Sequence, residues 1–249
     1  MFKRTLSQNF LIDPNTIEKL VNSTSIDPNE NVLEIGPGKG AITRKLASRA
    51  SHLIAVEKDR DLIFDLEQIE NAQIYEADVL EFDLNQLRNY APMKVVSNLP
   101  YHITSKILKR LALHKNLFKS IYVMVQEEFA NRLILPPETT LTAFLNSHYN
   151  ITKLFNISKH CFYPKPNVTS TFIELKPNNL PMEEEFYTFL NYGYLHKRKM
   201  LYSELKHHYD EELLDEAFQK LGLDEKERIQ KIKPDLIFSL YKLLGKLTK

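Results

Sequence analysis

Hydrophobic positions along most of the chain alternate between short apolar runs and helical spacings. Asn31-Val32-Leu33-Glu34-Ile35, His52-Leu53-Ile54-Ala55-Val56-Glu57, Ala72-Gln73-Ile74-Tyr75 and Val95-Val96-Ser97 are brief, apolar-rich and bounded by polar or turn residues. Such runs predict strands, the more continuous ones buried on both faces. Between them, Ala41 to Ala47 and Asp61 to Glu70 read as helices, and Ile103, Ile107, Leu108 and Leu111 repeat at helical spacing after Tyr101. Asp13-Pro14 signals an earlier helix start ahead of Ile17, Leu20 and Val21. Phe10 and Leu11, before any regular pattern, read as an arm packed on the core. Strands that alternate with helices predict an α/β fold, a parallel sheet with helices on both faces.

Further along, Ser120 to Val125 is a strand and Gln126 to Leu135 a helix stopped by Pro136-Pro137. Thr140 to Tyr149 is helical, and Ile151 to Ile157 and Thr169 to Leu175 are the last strands. The stretch Lys176-Pro177-Asn178-Asn179-Leu180-Pro181 is polar and proline-flanked, as domain boundaries are. Beyond it the strand pattern stops. Phe186, Leu190 and Tyr194, then Leu201 and Leu205, then Leu213, Leu214 and Phe218 before Gly222, and finally Leu236 to Leu247 mark helices. The expected division is an α/β domain over 1–178 and a small all-helical domain over 179–249.

Composition narrows the class. Of the 249 residues, 43% are hydrophobic and 26% charged, as in globular proteins, and no segment is apolar enough to span a membrane. Met1-Phe2-Lys3-Arg4 leads into no apolar run, so no signal peptide is expected. Cys161 is the only cysteine, which excludes an internal disulfide and a multi-cysteine zinc site and fits a reducing, cytoplasmic setting. A net charge of +1 argues against a strongly cationic nucleic-acid binder and leaves local patches. Lys106, Lys109 and Arg110 form one such patch on a helix side, and His196-Lys197-Arg198-Lys199 forms another.

The candidate chemistry lies where strands end. Glu34-Ile35-Gly36-Pro37-Gly38-Lys39-Gly40 joins a strand to a helix, and glycines there let a ligand approach the backbone and the unpaired N–H groups of a helix start. Gly36-x-Gly38-x-x-Ala41 satisfies a dinucleotide fingerprint, and Glu34-x-Gly36-x-Gly38-x-Gly40 equally resembles a loop that binds S-adenosylmethionine (SAM). Glu57 closes the next strand 21 residues beyond Gly36, in position to take a ribose diol. Asp78, after the third strand, is a candidate acceptor for an adenine amine. Val95-Val96-Ser97-Asn98-Leu99-Pro100-Tyr101 leaves the sheet at a proline that cannot continue a central strand. Asn98 there offers an amide oxygen to an exocyclic amine and Tyr101 a face for a base. Phe162 and Tyr163, next to Pro164, are either a core plug or a second stacking surface.

Ser7-Gln8-Asn9-Phe10-Leu11, Glu34-Ile35-Gly36-Pro37-Gly38, Ser97-Asn98-Leu99-Pro100-Tyr101 and Cys161-Phe162-Tyr163-Pro164-Lys165-Pro166 occur in this order along the chain. Together they resemble the ribosomal RNA adenine N6-dimethyltransferases, in which the tetrapeptide N-[LIP]-P-[YF] holds the target base. The resemblance implies a Rossmann-like SAM-dependent methyltransferase sheet with a small C-terminal helical domain. It implies SAM contacts at Asn9, Leu11, Gly36, Gly38, Glu57, Asp78 and Asn98. It places the catalytic element at Asn98, Leu99, Pro100 and Tyr101, with Phe162 on the other side of the base. Lys106, Lys109, Arg110, Lys197, Arg198 and Lys199 are the expected RNA contacts. Val125 to Arg132 and His196 to Leu201 look more like the small-subunit (KsgA) type than the Erm type. The implied function is dimethylation of two adjacent adenines in the 3′-terminal hairpin of small-subunit (16S) ribosomal RNA, within a subunit precursor, by a monomer that needs no metal. The alternatives are an Erm-type enzyme acting on large-subunit (23S) RNA and a non-catalytic assembly or transcription factor on the same fold. Two departures concern substrate contacts: Leu135-Pro136-Pro137-Glu138-Thr139 is a shortened loop, and the basic arm before Gln8 is very short.

Overall fold

The structure is a computed structural model that describes residues 9–245. Ser7 and Gln8 of the first motif lie outside the described residues. The chain runs β1 (Phe10–Leu11), α1 (Pro14–Ser23), β2 (Asn31–Ile35), α2 (Ala41–Ala47), β3 (His52–Glu57), α3 (Arg60–Glu67), β4 (Ala72–Glu76) and β5 (Met93–Asn98). It continues through α4 (Thr104–Leu113), β6 (Phe118–Gln126), α5 (Glu127–Ile134), α6 (Thr140–His148), β7 (Tyr149–Ile157), β8 (Phe162–Tyr163) and β9 (Ser170–Pro177). Four helices follow: α7 (Glu184–Leu195), α8 (Leu201–Leu205), α9 (Glu211–Leu221) and α10 (Pro234–Leu244).

Two compact units emerge from the contacts, the first containing residues up to 131 and 150–177, the second 132–149 and the residues from 178 on. In the first, a seven-stranded sheet has the order β4-β3-β2-β5-β6-β9-β7. β4, β3, β2, β5 and β6 pair in parallel, and β9 runs antiparallel to β6. The central strands are apolar because both of their faces are covered: Val32, Leu33, Ile54, Ala55, Val95 and Val96 are fully buried. The chain steps outward from β2 to β3 and β4, then returns to place β5 on the other side of β2. That reversal is where open α/β sheets bind their ligands.

Local signals set most element ends. Asp13 accepts from the Thr16 backbone N–H at 2.8 Å and caps α1, with Pro14 in the first turn where no N–H is needed. α3 stops at Glu67, three residues short of the expected Glu70, and Asn71, at φ 60°, turns the chain into β4. The Asn71 amide donates to the carbonyls of Ala47 and Ala50, both at 2.9 Å, which fixes that turn. The arm at Phe10–Leu11 does more than pack. It forms a two-stranded ladder with Phe162–Tyr163, a pairing between distant segments that periodicity could not show.

The second unit differs in extent from the expected 179–249. It takes in 132–149, because the aromatic face of α6 belongs to the C-terminal cluster: Phe144 meets Phe186 at 6.4 Å and Tyr187 at 5.1 Å between ring centroids. His148 is fully buried beside Phe144, Phe186 and Phe238. The polar stretch at Lys176–Pro181 marks one of three crossings between the units, and those at 131/132 and 149/150 carry no such signal. Gly222, at φ 64°, ends α9 as expected. Among the described residues no helix is long and apolar enough to cross a membrane.

Candidate active site

β2, β3, β4 and β5 end side by side, so Gly36, Glu57, Asp78 and Asn98 come together at the carboxyl edge of the sheet. They line one cleft with Asn9, Leu11, Glu34, Gly38, Lys58, Leu99, Pro100 and Tyr101. Every residue expected to contact the cofactor lines this cleft.

The glycine loop is shaped by what crosses it. Gly38 sits at φ 59°, and a Cβ there would come within 2.9 Å of the Phe10 ring. β1 therefore lies directly over the loop, and only glycine fits beneath it. Lys39 stands 5.4 Å from the centroid of the same ring. From below, the Gly38 backbone N–H donates to Glu57 Oε2 at 3.0 Å. Glu57 Oε1 accepts from the Asp59 N–H at 2.7 Å. Glu57 thus holds the loop in addition to closing β3, and burial pushes its carboxyl pKa up.

Glu34 is a second buried carboxyl in the cleft, 2% exposed. Burial pushes its pKa up to about 8, and the neighbouring Glu57 adds to the rise. Thr43 lies close enough to oppose the shift, yet neither its hydroxyl nor Glu34 Oε2 completes a hydrogen bond among the described residues. A buried oxygen left in this way has acceptor capacity for a ligand. At the far side, Asp78 Oδ1 accepts from the Leu80 N–H at 2.9 Å and Oδ2 from Lys58 Nζ at 2.7 Å. The Lys58 ammonium holds the Asp78 carboxyl below its usual range.

At the end of β5, Asn98 Nδ2 donates to the Asn9 carbonyl at 2.9 Å. The Leu99 N–H donates to the Met124 carbonyl at 3.3 Å, continuing the ladder one residue past the strand. Pro100 then turns the chain, and the Tyr101 hydroxyl lies 2.5 Å from Ser170 Oγ. Phe162 is placed differently from its expected neighbour Tyr101. It is 3% exposed, opposite Leu11 in the β1–β8 ladder, and packs in the core with Leu11 and Ile17. Alternation along β8 turns Tyr163 outward instead, at 55% exposure.

The expected basic patches are also only partly open. Lys106 is exposed and Lys109 half-buried. The Arg110 guanidinium turns inward and donates to the Phe82 carbonyl, so it is not directed at a solvent phosphate. In the second unit Lys197, Arg198 and Lys199 are all exposed, with Lys197 paired to Glu138 at 3.6 Å and Lys199 to Glu204 at 3.0 Å. The anchoring carbonyl of Asn9, the ring of Phe10 and the hydroxyl of Ser170 escaped the sequence reading. Each acts across a long chain separation, and no local pattern signals that.

A model of the family described as ribosomal RNA adenine dimethylase matches residues 1–246. The chain belongs to this family. As a ribosomal RNA adenine dimethylase it is 36% identical over 245 residues to the Ribosomal RNA small subunit methyltransferase A of Malacoplasma penetrans, a match covering 95% of this chain and 90% of the relative. The protein of the same name from Protochlamydia amoebophila is 34% identical, covering 96% and 90%. That of Prosthecochloris aestuarii is 38% identical, covering 84% and 83%. The fold is shared with a dimethyladenosine transferase from Plasmodium falciparum, at TM-score 0.80 and 24% identity over 93% of this chain and 95% of the other. It is also shared with the 23S rRNA methyltransferase ErmE, at TM-score 0.72 and 24% identity over 95% and 99%.

The dimethylase cleft fits SAM. The loop is open to a ligand at Gly36, where nothing lies within 4 Å of an added Cβ. The unsatisfied Glu34 oxygen suits a cationic or N–H-bearing group. Glu57 and Asp78 line the cleft with carboxyl groups, acceptors of the kind that hydroxyls and an exocyclic amine need. The enzyme is a SAM-dependent methyltransferase.

Proposed function

We propose that this enzyme dimethylates the N6 amines of two adjacent adenines in the 3′-terminal hairpin of small-subunit ribosomal RNA, as a monomer. The carrying observation is the anchored Asn98 amide. With Nδ2 engaged by Asn9, Oδ1 is the atom left to accept from a substrate N–H at the cleft. Bound SAM supplies an electrophilic methyl on a sulfonium, held by Asn9, Leu11, Gly36, Gly38, Glu57, Asp78 and Asn98.

An adenine N6 lone pair is delocalised into the ring, which makes the nitrogen a poor nucleophile. Asn98 Oδ1 and the Leu99 carbonyl accept its two N–H bonds, so the nitrogen can pyramidalise and direct its lone pair into the cleft. Positioning and aligned dipoles provide most of the effect. No general base precedes the attack, because the resulting ammonium is acidic enough to pass its proton to water, and no Lewis acid is required. The base must first leave its stack, and the Tyr101 ring compensates for the stacking lost. After one turn a single N–H remains, and one acceptor suffices for the second transfer.

Support for a small-subunit target comes from the relatives at 34–38% identity, which carry that name. Radiolabelled methyl transfer to unmethylated small and large ribosomal subunits, assayed side by side, tests the reading. Label in two adjacent adenines of the small-subunit RNA is expected. Label only in the large subunit establishes the Erm-type reading, and no turnover on either establishes the non-catalytic one.

A further inference from the structure

We propose that Ser170 is a positioning residue for methyl transfer: its hydroxyl, 2.5 Å from the Tyr101 hydroxyl, anchors the far end of the ring on which the target base stacks. This rests on the stacking role given to Tyr101 above.

A tyrosine ring swings about its first side-chain torsion, and a stacking face is useful only if that swing is set before the base arrives. The backbone sets one end of Tyr101. Pro100 precedes it, the Ile103 N–H donates to the Pro100 carbonyl at 3.2 Å, and Thr104 Oγ1 donates to the same carbonyl at 3.1 Å. Nothing in that turn holds the far end of the ring. Ser170 does so from the start of β9, a strand remote in sequence from the β5 end.

Ser170 is itself held rigidly. It is fully buried, opposite Gln126 in the antiparallel β6–β9 ladder, and the Glu127 N–H donates to the carbonyl of the preceding Thr169 at 3.0 Å. A serine fixed in this way presents its hydroxyl at a defined point, and the phenol must meet it there. Burial raises the Tyr101 pKa, so the phenol keeps its proton and the contact remains a neutral hydrogen bond. Ser170 does not line the cleft, so its effect on the reaction passes through the tyrosine ring.

A double-mutant cycle tests the assignment, with kcat, RNA KM, SAM Kd and Tm measured for each variant. Ser170→Ala and Tyr101→Phe each release the ring without removing it. Each is expected to lower kcat about 10-fold, a misplacement effect. The double variant is expected to lose no more than either single one, and SAM Kd is expected to stay at the parental value. Additive losses, or a parental kcat in folded Ser170→Ala, overturn the proposal. Tyr101→Ala separates this from the reading beneath it. If Tyr101→Ala cripples transfer while Tyr101→Phe and Ser170→Ala do not, stacking stands and the tether falls. If Tyr101→Ala is itself harmless, the stacking role falls first.

Discussion

The Asn98 side-chain amide donates to the Asn9 main-chain carbonyl at 2.9 Å. The carbonyl can only accept, so it determines which way the amide points, and the oxygen is left as the acceptor for substrate. Replacing Asn98 by alanine is expected to slow single-turnover methyl transfer at saturating SAM by at least about 10²-fold, the usual cost of one preorganised polar group. Asn98→Asp also loses the N–H that Asn9 requires and is expected to be equally slow. Parental turnover in a folded Asn98→Ala protein removes this residue from the mechanism.

Gly38 lies under Phe10 at φ 59°, so a methyl group there meets both steric and conformational resistance. The left-handed backbone alone costs roughly 1–2 kcal/mol for an L-residue. Gly38→Ala is therefore expected to weaken SAM binding about 10-fold or more by calorimetry. Adding Phe10→Ala should relieve the collision and leave the backbone term, so recovery is partial. A parental SAM Kd in Gly38→Ala shows that the loop adapts without loss.

Glu57 serves the loop and, by proposal, the ribose. Its removal in Glu57→Ala is expected to weaken SAM by roughly 1–3 kcal/mol, the scale of a lost charged hydrogen bond. Excess SAM should restore most of kcat, because the Asn98 acceptor is untouched. An unchanged dissociation constant would confine Glu57 to holding Gly38.

Glu34 makes the unliganded enzyme sensitive to pH. Its carboxyl titrates near 4.5 when exposed and near 8 in the fold, because burial disfavours the charge. Between those values the folded chain holds a proton that the unfolded chain has released. The contribution to stability is complete below about pH 4.5, declines as pH rises, and is gone above about pH 8. Glu34→Gln removes this slope. Its advantage over the parent should be small at pH 5 and reach roughly 5 kcal/mol at pH 9, at about 1.4 kcal/mol per pKa unit. Melting curves that shift in parallel for both proteins across this range contradict it.

Within the basic turn of the second unit all three cations are exposed, and Lys197 and Lys199 are paired with the carboxylates of Glu138 and Glu204. Counterion release makes each phosphate contact visible as a salt slope. Arg198→Ala is expected to lower methylation of a partly assembled small subunit more than Lys197→Ala or Lys199→Ala does, with SAM binding unaffected by all three. The isolated hairpin should be methylated poorly at moderate salt, since a chain of net charge +1 has few cations for bare RNA. Equal rates on hairpin and particle through a salt series argue for a reading independent of the particle.

The sequence by itself determined the strands and their acidic or amide ends. Short apolar runs bounded by turn residues and alternating with helical spacings read as strands of a parallel sheet, and Gly36, Glu57, Asp78 and Asn98 are marked by position within that repeating β-α pattern. The helices of the C-terminal region were equally legible, since caps such as Gly222 and apolar spacing act within a few residues. Tertiary structure alone decided what crosses the sheet edge. β1 pairs with β8, Phe10 covers Gly38, Asn9 orients Asn98 and Ser170 holds Tyr101, all through contacts between segments far apart in the chain. It also decided that Phe162 faces the core while Tyr163 faces out, because strand alternation, and not residue type, sets which of two adjacent aromatics is buried. Local patterns report backbone propensity and which face is apolar. Which partner satisfies a given amide, hydroxyl or carboxylate depends on register and crossover, and those exist only once the sheet has formed.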